Sequence, residues 1–122
     1  MDEPVVNNPD VESIFESVKK LLGLPKEEDS FDTDIIVHIN TVFSNLHQMG
    51  IGPDDGFYIT GYNETWSNYT LTNPNKKRQI RSYIPLKVKQ MFDPSANANV
   101  SKSLENTLKE IEYRLYTEEG GY

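Results

Sequence analysis

The residues that most invite a chemical reading are two histidines, one acidic turn and one basic run. His38 and His47 stand nine apart in a stretch of helical period. Nine residues make two and a half turns, so the two rings point to different sides. Paired metal ligands on a helix stand three or four apart, so these two read as solvated or flanking side chains. The segment "GPDDG", residues 52–56, sets two acids between glycines. It lacks the alternating oxygen ligands and closing glutamate of a calcium loop. It reads as a turn rather than as the carboxylate pair of a hydrolase. Neither phosphate-cradling glycine pattern occurs, and no serine sits in G-x-S-x-G. There is no cysteine, which removes thiolate zinc sites, a thiol nucleophile and disulfides, and fits a reducing cytosol. No catalytic residue, cofactor or metal is expected, and the chain is not read as an enzyme.

The basic run is "KKRQIRSYIPLKVK", residues 76–89. Its six bases, Lys76, Lys77, Arg78, Arg81, Lys87 and Lys89, are half of the 12 in a chain of net charge −7. Charge is segregated along the sequence: −5 over residues 1–30, −4 over 31–56, +5 over 57–92 and −3 over 93–122. Bases with Tyr83 and Phe92 nearby suit phosphate contacts, and a small helical nucleic-acid-binding or regulatory protein using residues 76–89 is one reading. The overall acidity works against it. A solvated helix face is the plainest reading. The third is an interface, in which the positive segment of one subunit meets an acidic surface on another copy. Pro85, inside the run, removes one helical hydrogen bond and predicts a kink between Ile84 and Leu86.

The elements that must position these residues are helices. The chain has 122 residues, the size of one domain with a core of its own. Residues 1–10 read as a flexible arm and 117–122 as a flexible tail. Asn8-Pro9 has the cap-and-proline pattern of a helix start. Val11, Ile14, Phe15, Val18, Leu21 and Leu22 follow as one apolar stripe, ended by Gly23 and Pro25. Asp32 reads as the next cap, with Phe31 and Ile36 as a hydrophobic staple. Ile35, Ile36, Ile39, Val42, Phe43 and Leu46 form the second stripe, ended at Gly50. Asn73-Pro74 opens the third helix, which carries Ile80, Tyr83, Ile84, Val88, Met91 and Phe92 and closes at Asp93-Pro94. The last helix carries Val100, Leu104, Leu108, Ile111 and Leu115, with Glu105/Lys109 and Glu110/Arg114 as pairs four apart.

Between the second and third helices the helical period is lost. Gly, Pro, Asp and Asn punctuate aromatic and β-branched residues over 50–73. The pattern predicts a small hairpin of Phe57–Thr60 against Thr65–Tyr69. Two strands alone are marginal in water, so the hairpin must lean on the helices or on a neighbour. Some of Phe57, Tyr58, Tyr62, Trp66 and Tyr69 therefore cover the core, and others are candidate contacts. The expected fold is all-α, about four helices with this hairpin inserted. The acidic N-terminus lacks the pattern of a signal peptide, and no apolar run can span a bilayer. A soluble, non-exported protein is expected, and the N-x-S/T matches at Asn63, Asn68 and Asn99 read as chance.

The order of these parts resembles the small head–tail connector, or adaptor, proteins of long-tailed bacteriophages. The matching stretches are "ESIFESVKKLLGL" (12–24), "FDTDIIVHINTVFSNLHQMGIGPDDGF" (31–57), the lone Trp66, "YIPLKVKQMFDP" (83–94) and "LKEIEYRL" (108–115). They cover residues 11–116. The resemblance implies a structural virion protein at the capsid–tail neck, made in the bacterial host cytoplasm. It implies a homo-oligomeric ring of about a dozen copies beneath the portal, extending the channel through which DNA passes without sequence-specific binding. It implies a docking surface for a stopper or tail-completion protein, no membrane contact and no cofactor. The subunit interface is then expected at Lys76, Arg78, Arg81, Lys87, Lys89, Phe57, Tyr58 and Trp66. The portal contact is expected at Leu108, Ile111, Tyr113, Leu115, Tyr116 and Tyr122. Residues 1–10, Pro85 and the tail "TEEGGY" depart from the family pattern.

Overall fold

In the computed structural model, residues 11–71 and 73–118 are described. Four helices follow in order: α1 (Ile14–Leu22), α2 (Asp32–Gln48), α3 (Pro74–Phe92) and α4 (Ala98–Glu118). The basic helix α3 is the hub, packing against each of the other three. Its side bearing Ile80, Tyr83, Ile84 and Val88 is buried with Ile14, Phe15 and Val18 of α1, Ile35, Ile39, Val42, Phe43 and Leu46 of α2, and Leu108 and Leu115 of α4. Most apolar residues at helical spacing thus do what their period predicts, the stripes closing on a common core, while Val11, Leu21 and Val100 stay exposed.

The ends of the helices follow their local chemistry, with two corrections. At α3, the Asn73 side chain accepts from the amides of Asn75 and Lys76, and Pro74 takes the first turn, where its missing N–H costs nothing. The expected start of the first helix at Asn8-Pro9 lies outside the described residues, and α1 itself begins only at Ile14. Ser13 is its cap, accepting from the Glu16 amide at 3.2 Å. The chain just before it is drawn out beside Glu64–Thr65: the Ile14 amide donates to Glu64 O and the Trp66 amide to Glu12 O. That pairing takes residues 12–13 out of helical register and leaves Val11 exposed. At α2, Phe31 rather than Asp32 holds the cap position, and no side chain caps the helix. Asp32 turns its carboxylate to Lys19 instead.

The hairpin is a further correction to the expected fold. Among the described residues there is no β-strand, only the isolated bridge between Ser13 and Thr65. Residues 57–71 hold their shape through side chains rather than a ladder. Glu64 accepts from the Thr60 amide at 3.0 Å and from the Thr60 hydroxyl at 2.8 Å. Thr65 and Asn68 cap a single 3-10 turn, Trp66–Asn68. The two segments expected to pair are therefore joined by a tight polar turn, and their backbone groups are satisfied elsewhere. The Ile59 amide donates to Asn40 Oδ1 at 2.8 Å, and Asn40 Nδ2 donates to Ile59 O at 3.0 Å. A single α2 side chain thus does for Ile59 what a neighbouring strand would have done.

Candidate interaction surfaces

The basic run does not form one positive face. Lys76 is buried, its Nζ 3.5 Å from the Leu115 carbonyl. Lys87 pairs with Glu112 of α4 at 3.5 Å, and Lys89 with Asp93 at 3.8 Å. Tyr83 donates to the same Glu112 carboxylate at 2.7 Å. Burial and that hydrogen bond together push the Tyr83 phenol far above its ordinary pKa, so it stays a neutral donor. Two of the six bases, Lys76 and Lys87, thus help fasten α4 to α3. Arg78 is exposed and contacts Asn75, while Lys77 and Arg81 are half-buried. Pro85 is buried, and α3 continues through it from Pro74 to Phe92.

Beside Pro85 an open groove of ≈ 600 Å³ runs between α1 and α3. Ser17 and Leu21 of α1 and Ser82, Pro85 and Leu86 of α3 line it, with Lys20 and Arg81 on its rim. Leu21 was expected in the core, but it is 44 % exposed at this groove. Lys20 pairs with Glu12 at 3.0 Å there.

The aromatic segment separates into inward and outward residues. Trp66 is buried, and its indole N–H donates to Ser17 Oγ at 3.0 Å. Phe43, Phe57 and Tyr69 form a mutual cluster with ring centroids 4.9–5.2 Å apart. Tyr58, between anchored Phe57 and anchored Ile59, points outward and is 69 % exposed. Just before it, the "GPDDG" turn closes as expected, the Gly56 amide donating to Pro53 O at 2.9 Å. His47 Nε2 lies 3.0 Å from Asp54 O, so this histidine braces the turn. Gly52 has φ +100°, and a Cβ there would fall 2.7 Å from the Tyr69 hydroxyl, so only glycine suits the position. His38 lies edge-on to Phe92. Among the described residues, no group of three His, Asp or Glu side chains is placed to hold a metal ion.

On α4, Leu108 and Leu115 are core residues and Ile111 is half-buried, whereas Tyr113 (70 %) and Tyr116 (46 %) are exposed. Tyr122 lies outside the described residues. The pairs Glu105/Lys109 and Glu110/Arg114 both form, at 3.2 and 2.8 Å.

One cluster escaped the sequence reading. Lys19 is 1 % exposed, yet its ammonium reaches Asp32 Oδ1 at 2.8 Å, the Tyr62 hydroxyl at 2.9 Å, and the carbonyls of Glu28 at 2.7 Å and Lys26 at 3.2 Å. Burial pulls its pKa down, but the bonds to Asp32 and Tyr62 outweigh that and hold it above the ordinary lysine value. This cation ties α1, the α1–α2 loop, the start of α2 and the aromatic segment into one node. Its signal was present in the sequence, since Lys19 stands four after Phe15 and three before Leu22, on the apolar stripe. The cap of α1 had its signal too: Ser13-x-x-Glu16 is the spacing of a capping box.

Comparison with known proteins gives one result. A family described as phage connector protein matches residues 14–121. No curated protein and no solved structure matches the chain. Among the described residues, no helix is long and apolar enough to cross a membrane.

Proposed function

This chain belongs to the phage connector protein family, and on that premise we propose that it forms a ring of about twelve subunits between the portal and the tail. Its role as a structural component of the virion follows from the family; the ring, its partners and its contacts are the proposal. The match over residues 14–121, which takes in all four helices, is the observation that carries it.

In this reading the protein extends the DNA channel beneath the portal and presents a docking surface to the stopper or tail-completion protein. Its net charge of −7 suits a wall past which DNA slides without sticking. The exposed Tyr113 and Tyr116 of α4 serve the portal side together with the C-terminal Tyr122. Arg78 and Arg81, with Phe57 and Tyr58, serve the neighbouring subunit. Trp66, Lys76, Leu108 and Leu115 act from inside the protomer, shaping these surfaces rather than touching a partner, since each is buried. The nucleic-acid reading of residues 76–89 is weaker on this geometry. Lys76 is buried and Lys87 and Lys89 sit in ion pairs, which leaves few bases to neutralise phosphates.

The test is the native mass by light scattering, alone and with the portal ring of the same phage. A species near twelve subunits, on its own or on the portal, is the expected result. A monomer that ignores the portal overturns the proposal. Duplex DNA binding with a steep salt dependence would then favour the nucleic-acid alternative.

A further inference from the structure

The segment around Tyr58 is built as a rigid, outward-facing tip. Tyr58 is among the most exposed large side chains of the protein, but both of its neighbours are fixed. Phe57 packs against Phe43 and Tyr69, and Ile59 is buried and held by two hydrogen bonds to Asn40. The turn before it is closed by its own backbone and braced by His47. An exposed tyrosine costs little entropy to immobilise when its backbone is already ordered, and such residues serve as anchors in interfaces. Two exposed acids, Asp54 and Asp55, stand beside it, and no lysine or arginine occurs between Lys26 and Lys76.

The groove between α1 and α3 has the complementary character. Its floor is apolar, with Leu21, Pro85 and Leu86, and its rim carries Arg81 together with the ion pair of Lys20 and Glu12. One helical turn from Arg81 stand Lys77 and Arg78, which line a smaller recess with it. The tip leans on α2, whereas the groove belongs to α1 and α3. They are two different surfaces of one protomer, which is what a head-to-tail contact between identical subunits requires.

We infer that Tyr58 of one copy seats in the α1–α3 groove of the next, with Asp54 and Asp55 facing the α3 bases Lys77, Arg78 and Arg81 at its edge. The occupant is thus a second copy of this chain, chosen by charge and by the fixed aromatic. This inference rests on the ring reading above and gives it a specific contact.

The test uses two full-length variants, Tyr58→Ala to remove the tip and Leu21→Glu to spoil the groove. Both positions are solvent-exposed, so circular dichroism should match the parent protein. If Leu21→Glu fails to fold, Ser82→Trp, which fills the groove from an exposed position, replaces it. Self-association, measured by light scattering under the condition where the parent assembles (alone or on the portal), should weaken at least about thirtyfold in each variant. Where the parent assembles on its own, the two variants mixed in equal amounts should form dimers. One intact tip and one intact groove survive in such a mixture, enough for a single contact but not for a ring. If the parent assembles and both variants assemble equally well, the contact is wrong while the ring reading stands. Where the parent assembles on its own, variants that lose assembly and stay monomeric when mixed would also overturn the head-to-tail pairing. A parent that never assembles removes the ring reading itself, and this contact with it.

Discussion

Two parts of this protein handle positive charge in opposite ways. On α1 a single ammonium, Lys19, is withdrawn from solvent and surrounded by four oxygen atoms from three separate segments. On α3 six bases lie within fourteen residues, and their fates diverge: one is buried, two are in ion pairs, and three stand toward one side near the groove. Charge density along the chain was thus a poor guide to where charge matters for folding. What decides is position relative to the apolar stripe. Lys19 occupies a stripe position on α1, so the core forms around its stem while its head seeks oxygen. Lys89 lies near the end of α3, with a side chain 37 % exposed, and water can serve it as well as Asp93 does.

The largest effect expected from breaking this contrast is at Lys19. Lys19→Met keeps the stem and deletes the ammonium, stranding the Asp32 carboxylate and two carbonyls. Urea denaturation should show a loss of about 3 kcal/mol. The same variant sharpens the comparison through pH. The folded-state pKa of Lys19 is raised above 10.5, so its contribution is complete below that value and disappears as pH climbs through the folded value. Part of the alkaline loss of stability should therefore be missing in Lys19→Met.

Glu112→Gln is next in size. It weakens the partner of both Tyr83 and Lys87 and loosens α4 from α3, at about 1 kcal/mol in the same assay. Glu64→Gln tests the polar turn that replaced a hairpin. Burial raises the Glu64 pKa, but the bonds from Thr60 and Gly61 outweigh it, and the carboxyl is held below 4.5. Its contribution is present above pH 4.5 and fades as pH falls through the folded value. Acid titration of stability should accordingly flatten in the variant below pH 4.5, with a cost of about 1 kcal/mol at neutral pH. The smallest effect belongs to Lys89→Ala, whose partly exposed pair should be worth under about 0.5 kcal/mol. A loss at Lys89 as large as that at Lys19 would dissolve the contrast.

Much of the framework was legible before any coordinates. The stripes of α2 and α3, the Asn73-Pro74 start, the ends at Gly50 and Asp93, the closed "GPDDG" turn and the α4 ion pairs are all local in origin. Each depends on residues within about one helical turn, where spacing alone settles which groups can meet. The start of α1 failed because the decisive partner is distant. Residues 12–13 are drawn out by Glu64–Thr65, some fifty positions away, so α1 begins only at Ile14. The hairpin failed for the same reason. The aromatic segment does lean on the helices, with Trp66 and Tyr69 in the core, but Asn40 and Glu64 satisfy its backbone in place of a partner strand.

By itself, then, the sequence determined four amphipathic helices, their order, the turn that carries two acids, and a segregation of charge. Those features rest on period, capping and composition, which act over a few residues. Only the tertiary structure decided that Lys19 is buried and satisfied, that Lys87 reaches across to Glu112, that Trp66 closes on Ser17 while Tyr58 is left outside, and that Leu21 faces a groove beside Pro85. Each of those outcomes brings together groups far apart in the chain. Which of them meet depends on how the helices pack around α3, and no local pattern encodes that geometry.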